Sequence, residues 1–275
     1  MRILKFIGFI LLISLLTVLT QVGGIILALS YPVFWVIKKK IKKTAFRRLL
    51  YTTSFFIIYI FFTFFIIPSV AKYFGRTSLP LYSKTIKPLN LMTCILNRHY
   101  VRPNLKNSIT SVANKVSKKH PNTIVSYLDA NFPFYNGFPL LPHLSHNDGK
   151  KLDIAFLYKN KFGKEVNNTA PSFMGYGVYE EPRKGEYNMP KNCNDKGFWQ
   201  YDILQKFVPQ RNKTKMIFDE DRTKDLIKLL VKEPTTSKIF IEPHLKTRMN
   251  LQSSKIRFHG CRAVRHDDHI HLQIK

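Results

Sequence analysis

Two long uncharged stretches open the chain, and an alternating pattern of apolar and polar positions begins only after them. Residues 6–37 (FIGFILLISLLTVLTQVGGIILALSYPVFWVI) carry no charged side chain, nor do residues 49–71, which include FFIIYIFFTFFII. About 20 apolar residues suffice to cross a bilayer, so both stretches predict membrane spans and residues 1–72 predict a membrane anchor. A cleaved signal peptide followed by a buried helix is the alternative. The first run is too long for that reading and lacks a clear small-x-small cleavage site. Further on, residues 73–106 are basic and dotted with proline, and predict a linker.

Residues 107–275 predict the soluble domain. NSITSVANKVSKKH sets Ile109, Val112, Ala113 and Val116 on one helical face, with Asn107 or Ser108 as cap and Pro121 as terminator. Strands are expected at 123–128, 152–158, 238–242, 255–258 and 269–274. A second helix starts at Asp221, buries Leu226, Ile227, Leu229, Leu230 and Val231, and closes before Pro234. Residues 160–200 are polar and rich in Gly, Pro and Asn, and predict a surface excursion. The fold class is α+β: a small, mainly antiparallel sheet with flanking helices, preceded by N-terminal transmembrane helices.

Charge fixes the orientation. Lys38, Lys39, Lys40, Lys42, Lys43, Arg47 and Arg48 lie between the apolar runs with no acidic residue among them. Short basic loops stay cytoplasmic, so the second span carries everything after residue 72 across the membrane. A re-entrant first run, turning at Gln21-Val22-Gly23-Gly24, gives the same result. Net charge is +27. On an exported domain, anionic wall polymers and lipid headgroups are more natural counter-charges than nucleic acid. Of the three cysteines, Cys193 and Cys261 are the favoured disulfide pair in an oxidising compartment.

The candidate chemistry lies in the histidines. His143, His146 and Asp153 fall within HLSHNDGKKLD, and His266, His269 and His271 within HDDHIHLQIK. On a strand, His269 and His271 leave the same face, roughly 6.5 Å apart along the backbone, while Asp268 and Ile270 leave the other. One imidazole can bind a metal while its neighbour stands over the open coordination position. Asn147-Asp148-Gly149 supplies turn chemistry between His146 and Asp153. A carboxylate on the apolar strand LDIAFLY is costly unless paired or metal-bound. Two imidazoles and one carboxylate make an open, catalytic type of zinc site.

H-x6-D followed much later by H-x-H resembles the superfamily that joins lysostaphin-type and D-Ala-D-Ala metallopeptidases with hedgehog domains. The fuller pattern H-x2-H-x2-G-x3-D, then H-x2-H-x-H, resembles the penicillin-insensitive murein endopeptidases. Its positions here are His143, His146, Gly149, Asp153, His266, His269 and His271. Phe218-Asp219 before the second helix and the following KIFIEPHLK extend the likeness, which covers roughly residues 120–275. The resemblance implies Zn2+ held by His146, Asp153 and His271, catalysis assisted by His269 and His266, and His143 close by. It also implies hydrolysis of peptidoglycan peptide cross-links at a bacterial cell membrane, on the periplasmic or extracellular side. Arg257, Arg262 and Arg265 are candidates to hold a substrate carboxylate. His244 reads as a loop or helix-start residue, and His99, His120 and His259 receive no role. Two other function classes stand beside the peptidase: a metal-retaining, non-hydrolytic wall-binding module, and a membrane protein for metal uptake or sensing.

Overall fold

In the computed structural model, which describes residues 2–275, the first apolar run is broken at its midpoint. Helix α1 (Arg2–Thr20) ends where Gln21 takes a left-handed φ of 65°, and the chain turns into α2 (Gly23–Leu29) and α3 (Tyr31–Lys40). Residues 6–37 are therefore bent at Gln21 rather than forming one straight span. The glycines explain the sharpness of the bend. A Cβ on Gly24 would stand 2.1 Å from Thr17 Oγ1 and 2.7 Å from the Ile13 carbonyl, so only a bare Cα lets α2 lie this close to α1.

After the basic loop comes α4 (Thr44–Phe74), 31 residues whose most apolar 18-residue stretch has a mean hydropathy of 2.2. Among the described residues it is the one helix long and apolar enough to cross a membrane; apolar Phe6–Thr20 is shorter. The bend of the first run touches the domain beyond α4. Gln21 Oε1 accepts a hydrogen bond from the Phe134 amide (2.8 Å), and Val22, Ile26, Tyr59, Ile67 and Ala71 bury against Tyr100.

The expected linker at 73–106 belongs to the domain instead. Leu79, Ile86, Cys94 and Val101 are all buried in the main core, and strand β1 (Ile86–Pro88) joins the main sheet at its edge. The proline and lysine content suggested a tether, but those widely spaced apolar residues give the segment a face to bury. Helix α5 (Pro103–Lys119) likewise starts before Asn107, with Pro103 in its first turn, where a missing N–H costs nothing. Its face of Ile109, Val112, Ala113 and Val116 is buried as the spacing predicts.

The sheet comprises β1, β2 (Val125–Tyr127), β3 (Lys151–Ala155), β4 (Thr236–Phe240), β5 (Ile256–Arg257) and β6 (His269–Ile274), in the spatial order β5-β4-β6-β3-β2-β1. The central pairs are antiparallel, and the two outer pairs, β5 with β4 and β1 with β2, are parallel. Leu152, Ile154, Ile270 and Leu272 pack into the core with α5 and α7 (Glu220–Lys232). Alternation then turns Asp153, His269 and His271 toward the opposite face. The architecture is mixed α+β, with small sheets and flanking helices.

Residues 160–200 are an inserted part of the domain more than a surface excursion. Tyr176, Val178 and Tyr179 are buried, and Cys193, in helix α6 (Met189–Asp195), is bonded to Cys261. The insertion is fastened a second time at helix α8 (Pro243–Arg248), where Arg248 donates from Nε (2.8 Å) and Nη2 (2.6 Å) to the two oxygens of Glu186. Those hydrogen bonds hold the Glu186 carboxyl down at about 2, against an ordinary value of 4.5. A depressed carboxylate stabilises the fold above its ordinary range and ceases to as pH falls toward the folded-state value. Glu186→Gln is expected to lower the unfolding free energy by about 1 kcal/mol near neutrality. The gap should shrink in acid, as urea titrations at the two pH values will show.

Candidate metal centre

Register brings the two halves of the histidine pattern together. In the β3–β6 pair, His271 lies directly opposite Asp153 and His269 opposite Ala155. Side chains on directly opposed positions are within easy contact. His146 arrives from the turn before β3. Its Nδ1–H donates to the Ala130 carbonyl (2.7 Å), which turns Nε2 toward the sheet. Burial opposes a charge on this imidazole, but Asp153 and Asp129 raise its pKa, so a metal bound at Nε2 would take the place of a proton. Gly149, with φ 78°, closes the turn, and its amide donates to Asn131 Oδ1 (2.9 Å).

Three donor atoms converge. Asp153 Oδ1 is 2.8 Å from His271 Nδ1 and 3.3 Å from His146 Nε2, and those two nitrogens are 3.1 Å apart. His143 stands beside them, with Nδ1 3.3 Å from Asp153 Oδ2 and 3.3 Å from Asp129 Oδ2. One ligand atom from each of His143, His146 and Asp153 lies within 4.8 Å of the others, so this cluster can hold a metal ion, and His271 closes on the same carboxylate. All four side chains are buried, yet they border a cavity of about 360 Å³ that opens past His259, Arg262 and Gln200.

The electrostatics suit a cation. Burial pushes His271 down to about 3, leaving it neutral with a free lone pair. Burial opposes the charge of Asp153, but His146 and His269 outweigh it and hold the carboxyl well below its usual range. Burial likewise opposes charge on His269, yet Asp153 and Asp268 raise it to about 9. His269 Nδ1 is hydrogen-bonded to Asp268 Oδ1, and Nε2 lies 3.6 Å from Asp153 Oδ1. His266 is 4.9 Å from His269 and 5.5 Å from His271, ring centre to ring centre, and burial keeps it neutral. The Nε2 atoms of His269 and His271 and the Nδ1 of His266 are buried with no hydrogen-bond partner. Such orphaned donors and acceptors are expensive in a finished protein interior and call for an occupant of the cavity.

The five histidines and the aspartate of the pattern thus meet in one site. The arginines divide. Arg262 lines the cavity, whereas Arg257 is exposed on an edge strand and donates to the Ser254 carbonyl. Arg265 cannot hold substrate: it is buried, paired with Asp267 (2.5 Å) and Glu181 (2.8 Å), and lies over the Tyr179 ring. His244 sits buried in the first turn of α8, with its Nε2–H on the Glu180 carbonyl. Four residues of the site have no sequence signal in the histidine pattern: Tyr176, Asp129, Asp268 and His259. His259, given no role by its spacing, stacks on Phe240 and faces His271. Asp268 lies just before β6, so strand alternation does not apply, and its carboxylate turns onto His269.

The chain matches no protein-family model and no curated protein sequence.

Proposed function

We propose that this chain is a membrane-tethered zinc peptidase that cleaves peptide cross-links of peptidoglycan, similar to the murein endopeptidases. The observation that carries the reading is the triangle of His146 Nε2, Asp153 Oδ1 and His271 Nδ1, with edges of 2.8, 3.1 and 3.3 Å. Ligand bonds of about 2.0–2.1 Å at tetrahedral angles separate donor atoms by about 3.3 Å, so the three residues fit a zinc ion with little movement. When bound there, zinc supplies an acidified water and a Lewis acid for a peptide carbonyl.

The remaining steps belong to the chain's own side chains. Asp268 holds the Nδ1 side of His269, and the charge of Asp153 helps to keep this imidazole protonated. With that charge taken up by a bound cation, Nε2 is free to accept a proton during attack and return it to the leaving amine. His266, kept neutral by burial, offers its unpartnered Nδ1 on the same wall. Arg262, at the cavity mouth, binds a carboxylate of the substrate. The tether is α4, and the basic loop at 38–48 supports an exported site. The bond between Gln21 and the Phe134 amide supports a first run that turns back at the outer face, on the domain's side.

Detergent-solubilised full-length protein, incubated with cross-linked muropeptides, tests the reading. Cleavage detected by product mass, abolished by a chelator and restored by zinc, is the expected result. Zinc bound at one equivalent without any cleavage would instead indicate a wall-binding module.

A further inference from the structure

The inserted segment 160–200 reaches the metal centre from behind, through two consecutive residues. Tyr176 Oη lies 2.9 Å from Asp153 Oδ2 and 3.1 Å from the Asp129 amide nitrogen. An amide can only donate, so the hydroxyl accepts from Asp129, and its single proton is directed at Asp153 Oδ2. The Tyr176 ring stands edge-on to both His143 (4.6 Å) and His269 (5.0 Å). The next residue continues the same function: the Gly177 amide donates to Asp268 Oδ2 (2.6 Å), the carboxylate whose other oxygen holds His269. A side chain at 177 would meet Val208 at 2.7 Å, and the φ of 81° suits glycine, so the backbone is fixed where the amide must point.

The two oxygens of Asp153 are thereby given different work. Oδ1 faces His146 and His271, while Oδ2 is engaged by Tyr176 and approached by His143. We infer that Tyr176 is a positioning residue that ties up Asp153 Oδ2, so that Asp153 ligates the metal through Oδ1 alone and a coordination position stays open for water and substrate. The inference rests on the zinc reading above. A carboxylate free to turn can chelate through both oxygens, which would fill the position that an open catalytic site requires. Partners behind a ligand commonly set its affinity for metal, with losses of about 10–100-fold on removal.

The test uses the full-length protein in detergent, loaded with Co2+ as a spectroscopic substitute for zinc. Wild type is expected to give the intense visible absorption of a four-coordinate ion. Tyr176→Phe keeps the ring and removes the proton; it should bind Zn2+ about 10–100-fold more weakly in chelator competition, with weaker Co2+ absorption as coordination number rises. Unchanged affinity and an unchanged spectrum in the variant would overturn the proposal. So would a wild-type spectrum of a five- or six-coordinate ion, a result that does not depend on the variant folding. A wild type that binds neither ion would remove the zinc reading itself, and this proposal with it, which distinguishes the two failures.

Discussion

His271→Ala should lose zinc and turnover together, whereas His269→Ala should retain about one equivalent of zinc and lower kcat about 10²–10⁴-fold, the usual worth of a positioned acid–base group. The difference follows from which atoms face the shared carboxylate oxygen. His271 Nδ1 is 2.8 Å from Asp153 Oδ1 and 3.1 Å from His146 Nε2, at the apex of the donor triangle. His269 stands further off, at 3.6 Å, and is held from its far side by Asp268. Metal content by atomic absorption, beside muropeptide kinetics, checks both halves. Equal loss of metal from the two variants would show that the ligands have been assigned wrongly.

The largest expected effect on stability lies away from the site, at Asp219. Its Oδ2 accepts from Arg222 Nε (2.6 Å), and its Oδ1 caps α7 by accepting the Arg222 amide (3.2 Å). The Arg222 side chain is buried, with Nη2 on the Tyr158 carbonyl (2.6 Å), so it welds α7 to the strand region beside β3. Asp219→Ala leaves that guanidinium without its buried counter-ion and should cost about 3–5 kcal/mol in urea unfolding. Asp219→Asn keeps the cap and loses only the charge, so it should cost less. Equal losses from the two would show that the ion pair, not the cap, dominates.

The helical and strand periodicities, and with them the site, were legible because they are local. The H-x6-D and H-x-H spacings each lie within one turn or one strand, and strand register then joins them, His271 against Asp153. What lay hidden depended on contacts between distant parts of the chain. Tyr176 sits in an irregular segment with no period to read, and its role appears only when its hydroxyl reaches Asp153. Arg265 looked like a substrate ligand because its partners Asp267 and Glu181 cannot be paired to it from sequence alone. The segment at 73–106 looked like a tether because its apolar residues are too widely spaced to give a periodic signal, although β1 and Val101 are bound into the domain. The break in the first apolar run had a visible cause in Gly23-Gly24, but hydropathy could not decide between a bend and a continuous span.

In the proposed site, two imidazoles and one carboxylate hold zinc with a position left open. Zinc K-edge X-ray absorption on the full-length, detergent-solubilised protein tests it most directly. A first shell of four nitrogen or oxygen neighbours at about 2.0–2.1 Å, with outer-shell scattering from two imidazoles, is the predicted result. Sulfur neighbours at about 2.3 Å, or four protein ligands with no exchangeable water, would contradict it.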